Sequence, residues 1–349
     1  MQPQANNTKL SIVNSMGIKK SLLKSWNKPN ALTGVLRPLS AIYKGAFALR
    51  KIAFKKGLFE TYQAPVPVII VGNLTVGGTG KTPLVVHLVE QLRLQGFTPG
   101  VISRGYSGDA ETYPLLVTAN TPVQHCGDEP ALIARRTGVP MAVGPNRRDS
   151  IEMLLEQSEI DLIISDDGLQ HLALQRDLEI CLIDDTIEHE NQNLLPAGPY
   201  REPLSRLLSV DFIVRHGGDI GNAENQFSMH LEPVTPLPVM TDNVTSFPRD
   251  AHFHAVAGIG KPQRFFDTCE ALGLKITSHS FADHYFFSAE DISFAGMPVL
   301  MTEKDAVKCQ KIAGDLHWYL PVNARLSSGF ADAIAEAVRY KFSNREENG

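Results

Sequence analysis

The chain of 349 residues is long enough for two domains, and its composition is that of an ordinary globular protein. Cys126, Cys181, Cys269 and Cys309 lie far apart with no C-x-x-C, which argues against a cysteine zinc site or a disulfide framework and fits a reducing compartment. The net charge of −5 conceals an asymmetry: residues 1–59 carry eleven Lys and Arg and no Asp or Glu, leaving 22 basic against 38 acidic residues beyond them. Such a basic leader suits a nucleic acid, an anionic membrane surface or a targeting role.

Residues 1–15 are polar and expected to be loose, and residues 1–30 lack the continuous apolar stretch and small-residue cleavage site of a secretory signal. From Arg37 to Lys56 the pattern is an amphipathic helix. At about 100° per residue Arg37, Lys44, Lys51 and Lys55 fall within roughly 20° of one line, with Leu39, Ile42, Tyr43, Ala46, Leu49 and Ala53 on other faces. No charge-free run approaches the ~18 residues of a spanning helix, so the segment is expected to lie on a bilayer, its Lys and Arg stems reaching anionic head groups. The alternative is a helix whose apolar face packs on its own domain.

Short apolar runs then alternate with helical patterns. Strands are expected at Val66–Val71, Gly100–Ser103, Pro114–Val117, Pro140–Val143, Asp161–Ile164, Glu179–Ile183 and Asp211–Val214, and helices at Pro83–Gln95, Glu129–Thr137, Arg147–Gln157 and Pro203–Leu208. This is an α/β pattern, a mainly parallel sheet covered on both faces with ligands at the carboxyl ends of its strands. Residues 218–250 break the periodicity at Gly217-Gly218, Pro233, Pro236, Pro238 and Pro248 and read as a linker with a pair of extended segments. Alternation resumes with strands at His254–Ala257, Lys275–Ser278, Pro298–Thr302 and Trp318–Leu320, and helices at Pro262–Leu272, Ser288–Phe294, Asp305–Ile312 and Gly329–Phe342. The expected divisions are a basic segment (1–60), a nucleotide-binding core (61–217), the linker (218–250) and a second, smaller α/β domain (251–349), with a cleft between the domains.

The first strand empties into Gly72-Asn73-Leu74-Thr75-Val76-Gly77-Gly78-Thr79-Gly80-Lys81-Thr82. Strand, glycine-rich turn and helix make a phosphate cradle: backbone N–H groups turn inward, Lys81 reaches the outer phosphates and the Thr82 hydroxyl can sit on Mg²⁺. The general pattern wants glycine where Thr75 stands. Asp166-Asp167-Gly168 ends another buried strand, and either acid could hold nucleotide-bound Mg²⁺ together with Thr82; the same tripeptide is also an ordinary turn. Gly127-Asp128-Glu129-Pro130 opens a helix, where carboxylates often serve as caps. Arg147 and Arg148 start another helix, and Arg201 lies in a proline-flanked loop; guanidinium groups suit phosphate oxygens. His284 sits among aromatics in the second domain.

Together these blocks resemble the tetraacyldisaccharide 4'-kinases of lipid A biosynthesis. The likeness runs from about Ser21 nearly to the C-terminus and is carried by the stretch from Val71 to Pro83, by Ser103-Arg104-Gly105-Tyr106, Gly127-Asp128-Glu129-Pro130, Asp166-Asp167-Gly168-Leu169-Gln170-His171, the stretch from Leu195 to Pro203, Ala257-Gly258-Ile259-Gly260-Lys261-Pro262, Asp283-His284 and Thr302-Glu303-Lys304-Asp305. Thr75 is what this family uses at its position. The resemblance implies two α/β/α domains joined by a β linker, an N-terminal helix on the cytoplasmic face of the bacterial inner membrane, and transfer of the ATP γ-phosphoryl group to the 4'-hydroxyl of an acylated glucosamine disaccharide 1-phosphate, giving lipid IVA. On that likeness Lys81 and Thr82 take phosphates and Mg²⁺, Thr75 to Thr82 cradle the nucleotide, and Asp166 or Asp167 serves the metal. Asp128 is then the base for the sugar hydroxyl, tuned by His284, while Glu129, Arg147 (or its neighbour Arg148) and Arg201 handle metal or phosphate. Domain closure is expected to bring His284 to Asp128 only with substrates bound. No nucleic acid and no obligate protein partner are expected.

Two rival readings use the same loop. A membrane-cycling ATPase switch of the partitioning type would have a lysine just before the paired glycines, where this chain has Val76, and it leaves Asp283-His284 without a job. A nucleic-acid-binding ATPase would use the basic leader as its footprint, but a regular charge stripe beside apolar faces suits lipid better.

Overall fold

The computed structural model describes residues 21–187, 190–218, 220, 223–240 and 246–348. The loose start expected for 1–15 lies outside the described residues, as do parts of the expected linker. Helix α1 (Ala31–Lys55) is set by a capping box, the Asn30 side chain accepting from the Leu32 and Thr33 amides while the Thr33 hydroxyl accepts from Asn30 N–H. It begins six residues before the stretch expected from the charge stripe.

The chain then runs β1 (Val68–Asn73), α2 (Lys81–Leu94), β2 (Pro99–Ser103), β3 (Leu115–Val117), α3 (Asp128–Thr137), β4 (Met141–Val143), α4 (Arg147–Gln157), β5 (Leu162–Asp166), β6 (Leu178–Asp184), β7 (Phe212–His216) and β8 (Gln226–Pro233). After β9 (Leu237–Pro238) come β10 (His252–Ala257), α5 (Pro262–Ala271), β11 (Lys275–Ser280), β12 (Val299–Thr302), α6 (Glu303–Cys309), β13 (His317–Leu320), β14 (Val322–Leu326) and α7 (Phe330–Asn348). Pro203–Leu208 and Ser288–Phe294 appear as short 3₁₀ turns, Leu204–Ser209 and Glu290–Ile292, each too short to bury a helical face.

Two sheets result, in the orders β14-β8-β7-β6-β1-β5-β2-β4-β3 and β11-β10-β12-β13-β9. Pairing in the first is parallel from β8 to β4 and antiparallel at both edges. Strands β1, β2 and β5 are buried throughout, which is why they read as unbroken apolar runs. With β1 between β5 and β6, the glycine turn after β1 and the acids after β5 open side by side at the carboxyl ends.

One expectation about organisation changes. Residues 322–348, placed by the sequence reading in the second domain, lie on the first sheet: β14 pairs with β8, and Phe330, Ile334, Ala335 and Val338 of α7 join the core formed by α2 and β1. Arg345 fastens the end of that helix by pairing with Asp177 at 3.1 Å and donating to the Ala64 carbonyl. Phe330 sits edge-on to Phe227 with ring centroids 5.1 Å apart. Phe330→Ala should therefore destabilise the chain by about 3–5 kcal/mol in urea unfolding, while Tyr340→Ala on the exposed face of α7 stays within about 0.5 kcal/mol of the parent.

Candidate active site

The glycine turn is braced from outside itself. Val76 N–H donates to the Pro199 carbonyl at 2.9 Å, Arg201 N–H donates to Leu74 O at 2.7 Å, and Thr75 bridges to Tyr200. Gly77 and Gly80 take φ of +117° and +96°, conformations that a side chain would strain. Gly78 and Val76 lie open to solvent, whereas Thr79 is buried and its hydroxyl has no partner. Lys81 and Thr82 occupy the first turn of α2, where helix N–H groups and dipole favour an anion. The Lys81 ammonium reaches back to Asn73 Oδ1 at 3.0 Å and to Asp167 at 3.5 Å.

Two acids end β5 in contrasting surroundings. Asp167 has φ of +50° and gives both oxygens to Arg201, at 3.1 and 2.9 Å. Burial would raise its pKa, but Lys81 and Arg201 outweigh burial and hold it low. Asp166 is buried with one oxygen unpartnered, and burial pushes it up to about 7 against the pull of Lys81. Glu129, Asp167 and Arg147 also act on it. Arg147 is the member of its pair turned inward: it is buried, donates to Gly144 O at 2.6 Å, and leaves Nε unpartnered. Burial lowers it to about 10. Arg148 is half-exposed and pairs with Glu152 and Glu60 at the surface.

Gly127 caps the start of α3 with φ of +89°, and a side chain there would strike the Tyr106 carbonyl oxygen at 2.5 Å, so only glycine lets that backbone pass so close. Across from it, His284 has a positive φ of 60°, its amide held by the Asp283 carboxylate at 3.1 Å. Its Nδ1 lies 2.9 and 3.0 Å from the two oxygens of Asp128, and its ring meets Tyr106 at 5.7 Å. A carboxylate only accepts, so Nδ1–H donates. Burial opposes ionisation of Asp128, but the hydrogen bond from His284 and the charge of Lys304 bring its pKa to about 2. His284 is raised, chiefly by the same hydrogen bond. The structure shows the two side chains in direct contact.

Lys304 has no role among the sequence expectations, although it lies in one of the family's blocks. The Lys304 ammonium stands 2.6 Å from Glu129, 3.6 Å from Asp128 and 3.8 Å from Asp283, converging there from the start of α6. His171 is another: burial and then Arg147, Arg176, Arg50 and Arg104 push it down to about 4, so it is neutral at pH 7.

The donors fit Mg²⁺ best at Asp166. Its unpartnered buried oxygen calls for a cation, and Glu129, close enough to act on its charge, offers a further hard oxygen. Asp128, Glu129 and His284 also bring ligand atoms within 4.8 Å of one another, but His284 is committed to Asp128.

A strand, glycine turn and helix carrying Lys81 and Thr82, beside acids ending the next strand, define a P-loop enzyme of the α/β class. Residues 32–339 match the family model Tetraacyldisaccharide-1-P 4'-kinase. A tetraacyldisaccharide 4'-kinase of Nitrosococcus oceani is 45% identical over 324 residues, 91% of this chain and 94% of that protein. One from Haemophilus influenzae is 47% identical over 307 residues, 86% of this chain and 91% of its own length. The crystal structure of the "apo" form of LpxK from Aquifex aeolicus in complex with ATP is similar with a TM-score of 0.76 and 28% identity, covering 89% of this chain and 99% of that one. The chain belongs to the tetraacyldisaccharide-1-P 4'-kinase family. The partitioning-type switch finds no support.

Asp166 makes a test possible. Between its ordinary 3.8 and about 7 the folded chain keeps a proton that the unfolded chain has lost, so this group's effect on stability declines as pH rises through 7. In chelating buffer Asp166→Asn is expected to melt above the parent at pH 8, with the gap closing toward pH 4. Added Mg²⁺ should raise the parent's melting temperature at pH 8 and leave the variant nearly unmoved. A gap that does not change with pH would show that this carboxyl is compensated in the folded chain.

Proposed function

We propose that this chain transfers the γ-phosphoryl group of ATP to the 4'-hydroxyl of an acylated glucosamine disaccharide 1-phosphate, giving lipid IVA. The observation that supports the reading most is the contact of His284 with Asp128, which joins a group from each sheet unit at 2.9 Å in the same cluster as Glu129. Phosphoryl transfer asks for positioning and charge stabilisation more than covalent help. Backbone N–H groups from Thr75 to Thr82 and the Lys81 ammonium cradle the nucleotide phosphates. Arg201 and the inward Arg147 stabilise charge that builds on the transferred group.

The sugar hydroxyl gives its proton to the Asp128–His284 pair. A carboxylate with a pKa of about 2 is a weak base alone. The imidazole beside it lets the two titrate as a unit, with Asp128 holding the ring in place. Asp166, Glu129 and Thr82 would hold Mg²⁺, which when bound to the nucleotide neutralises its phosphate oxygens; Asp167 is engaged with Arg201 and Lys81.

We further propose that α1 lies on the anionic inner surface of the bacterial inner membrane. Val35, Leu39, Ile42 and Leu49 are 74%, 51%, 68% and 68% exposed, on a line away from the buried Ser40, so the apolar face is not packed on its own domain. Arg37, Lys44, Lys51 and Lys55 are exposed as well, on the opposite side of the helix from that line. Among the described residues no helix is long and apolar enough to cross a membrane.

Purified Lys81→Ala and Asp128→Ala should each lose ATP-dependent phosphorylation of the acylated disaccharide monophosphate, read by mass spectrometry, with circular dichroism unchanged. Full turnover by either would remove that residue from the mechanism. Reversing Lys44, Lys51 and Lys55 to Glu is expected to release the protein from anionic liposomes in a sedimentation assay; unaltered co-sedimentation would argue against an interfacial role for the stripe.

A further inference from the structure

Helices α3 and α6 face each other across the two sheet units with two ion pairs of opposite sense. Glu303 takes Arg136 at 2.9 Å, and two turns earlier on α3 Glu129 takes Lys304 at 2.6 Å. The backbone that presents Lys304 is fixed: the Thr302 hydroxyl accepts the Asp305 amide at 3.1 Å, and the Asp305 carboxylate takes the Gly258 amide at 2.9 Å. Lys304 is only 21% exposed, so its stem has little freedom left to lose.

At its tip the ammonium stands among three carboxylates. Asp128 and Glu129 belong to the first unit, and Asp283 precedes His284 in the second. Without that ammonium, three like charges would face one another across the gap that His284 must span, and their repulsion would drive the His284 arm away from α3.

We propose that Lys304 is a positioning residue for phosphoryl transfer, the interdomain tie that sets the Asp128–His284 contact. This rests on the reading of that pair as the proton acceptor. Among the described residues Lys304 has no hydrogen bond or ion pair to the nucleotide turn, so its loss is expected to act on the arrangement of the pair more than on ATP binding.

The test uses the full chain with ¹⁵N-labelled histidine. The downfield proton on His284 Nδ1, assigned by its loss in His284→Gln, reports the hydrogen bond to Asp128. It is expected in the parent and in Lys304→Arg and absent in Lys304→Met. Lys304→Gln, which keeps a polar end without charge, stands in if the apolar change prevents folding. In parallel kcat should fall about 100-fold in the uncharged variant, with KM for ATP within about threefold of the parent.

Glu303→Gln loosens the same helix pair through its other ion pair and should keep the resonance. A resonance unchanged in the uncharged variant, or lost equally in Glu303→Gln, overturns the proposal. A resonance that behaves as expected in a parent that phosphorylates no acylated disaccharide would instead sink the functional reading and leave the tie standing.

Discussion

A buried carboxylate has to be met by a cation or by donors, and at the carboxyl ends of β1 and β5 and the start of α3 four carboxylates gather, Asp128 and Asp166 buried and Glu129 and Asp167 partly so. The cations that answer them come from separate places in the chain, Lys81 from α2, Arg201 from the loop after β6, Arg147 from α4 and Lys304 from α6. No one element could supply both signs at these distances. The fold can be understood as the scaffold that holds these charges together, and Asp166 is the place where protein cations alone leave the balance incomplete. That is also where a phosphoryl-transfer enzyme has use for a divalent ion.

Holding charges from two units together requires that the units not drift. Two antiparallel strand pairs, β8 with β14 and β9 with β13, run in succession from the first sheet into the second. The change of sheet falls at prolines. Only Pro321 separates β13 from β14, and Pro236 lies between β8 and β9; lacking N–H groups, they end one ladder and permit the next. The Val234 amide donates to the Pro321 carbonyl at 3.0 Å, joining the two crossings. A ribbon with both strands anchored in both sheets resists shear better than a single tether, and the pairing of Asp184 with Arg264 at 3.1 Å adds a contact on another side.

How much of this could be read from the chain followed the range of the interactions. The phosphate cradle was legible because strand, turn, lysine and helix are contiguous, and most strands of the first sheet because burial on both faces leaves unbroken apolar runs. The Asp128–His284 contact spans 156 residues, and spacing alone gave only a helix cap and a histidine among aromatics; the family likeness, not the periodicity, joined them. Lys304 was invisible as a tie because a lysine in a first helical turn has no local signature. The return of α7 to the first sheet was missed because a helical period records which face is buried and says nothing about what buries it. A strand of five residues directly after Pro321 also reads as the tail of β13 unless the proline is taken as a joint.

Helix α1 shows how a surface element can bear on the centre. Its polar side is docked by side chains that fix the loop after β6: the Ser40 hydroxyl donates to Leu194 O at 2.7 Å and accepts the Ala197 amide at 2.9 Å, and Tyr43 OH donates to Arg201 O at 3.0 Å. That same loop braces the nucleotide turn through Pro199, and Arg201 grips Asp167 beside Lys81. So the face opposite the exposed apolar line is three contacts from the phosphate cradle. An acylated sugar has to meet a nucleotide held in water, and the proposed interfacial role of α1 would place both partners in register, because the helix proposed to lie on the lipid is bolted to the loop that shapes the turn. Docking through hydroxyls and one aromatic leaves the apolar residues unspent, which is what distinguishes this helix from one that merely covers a core.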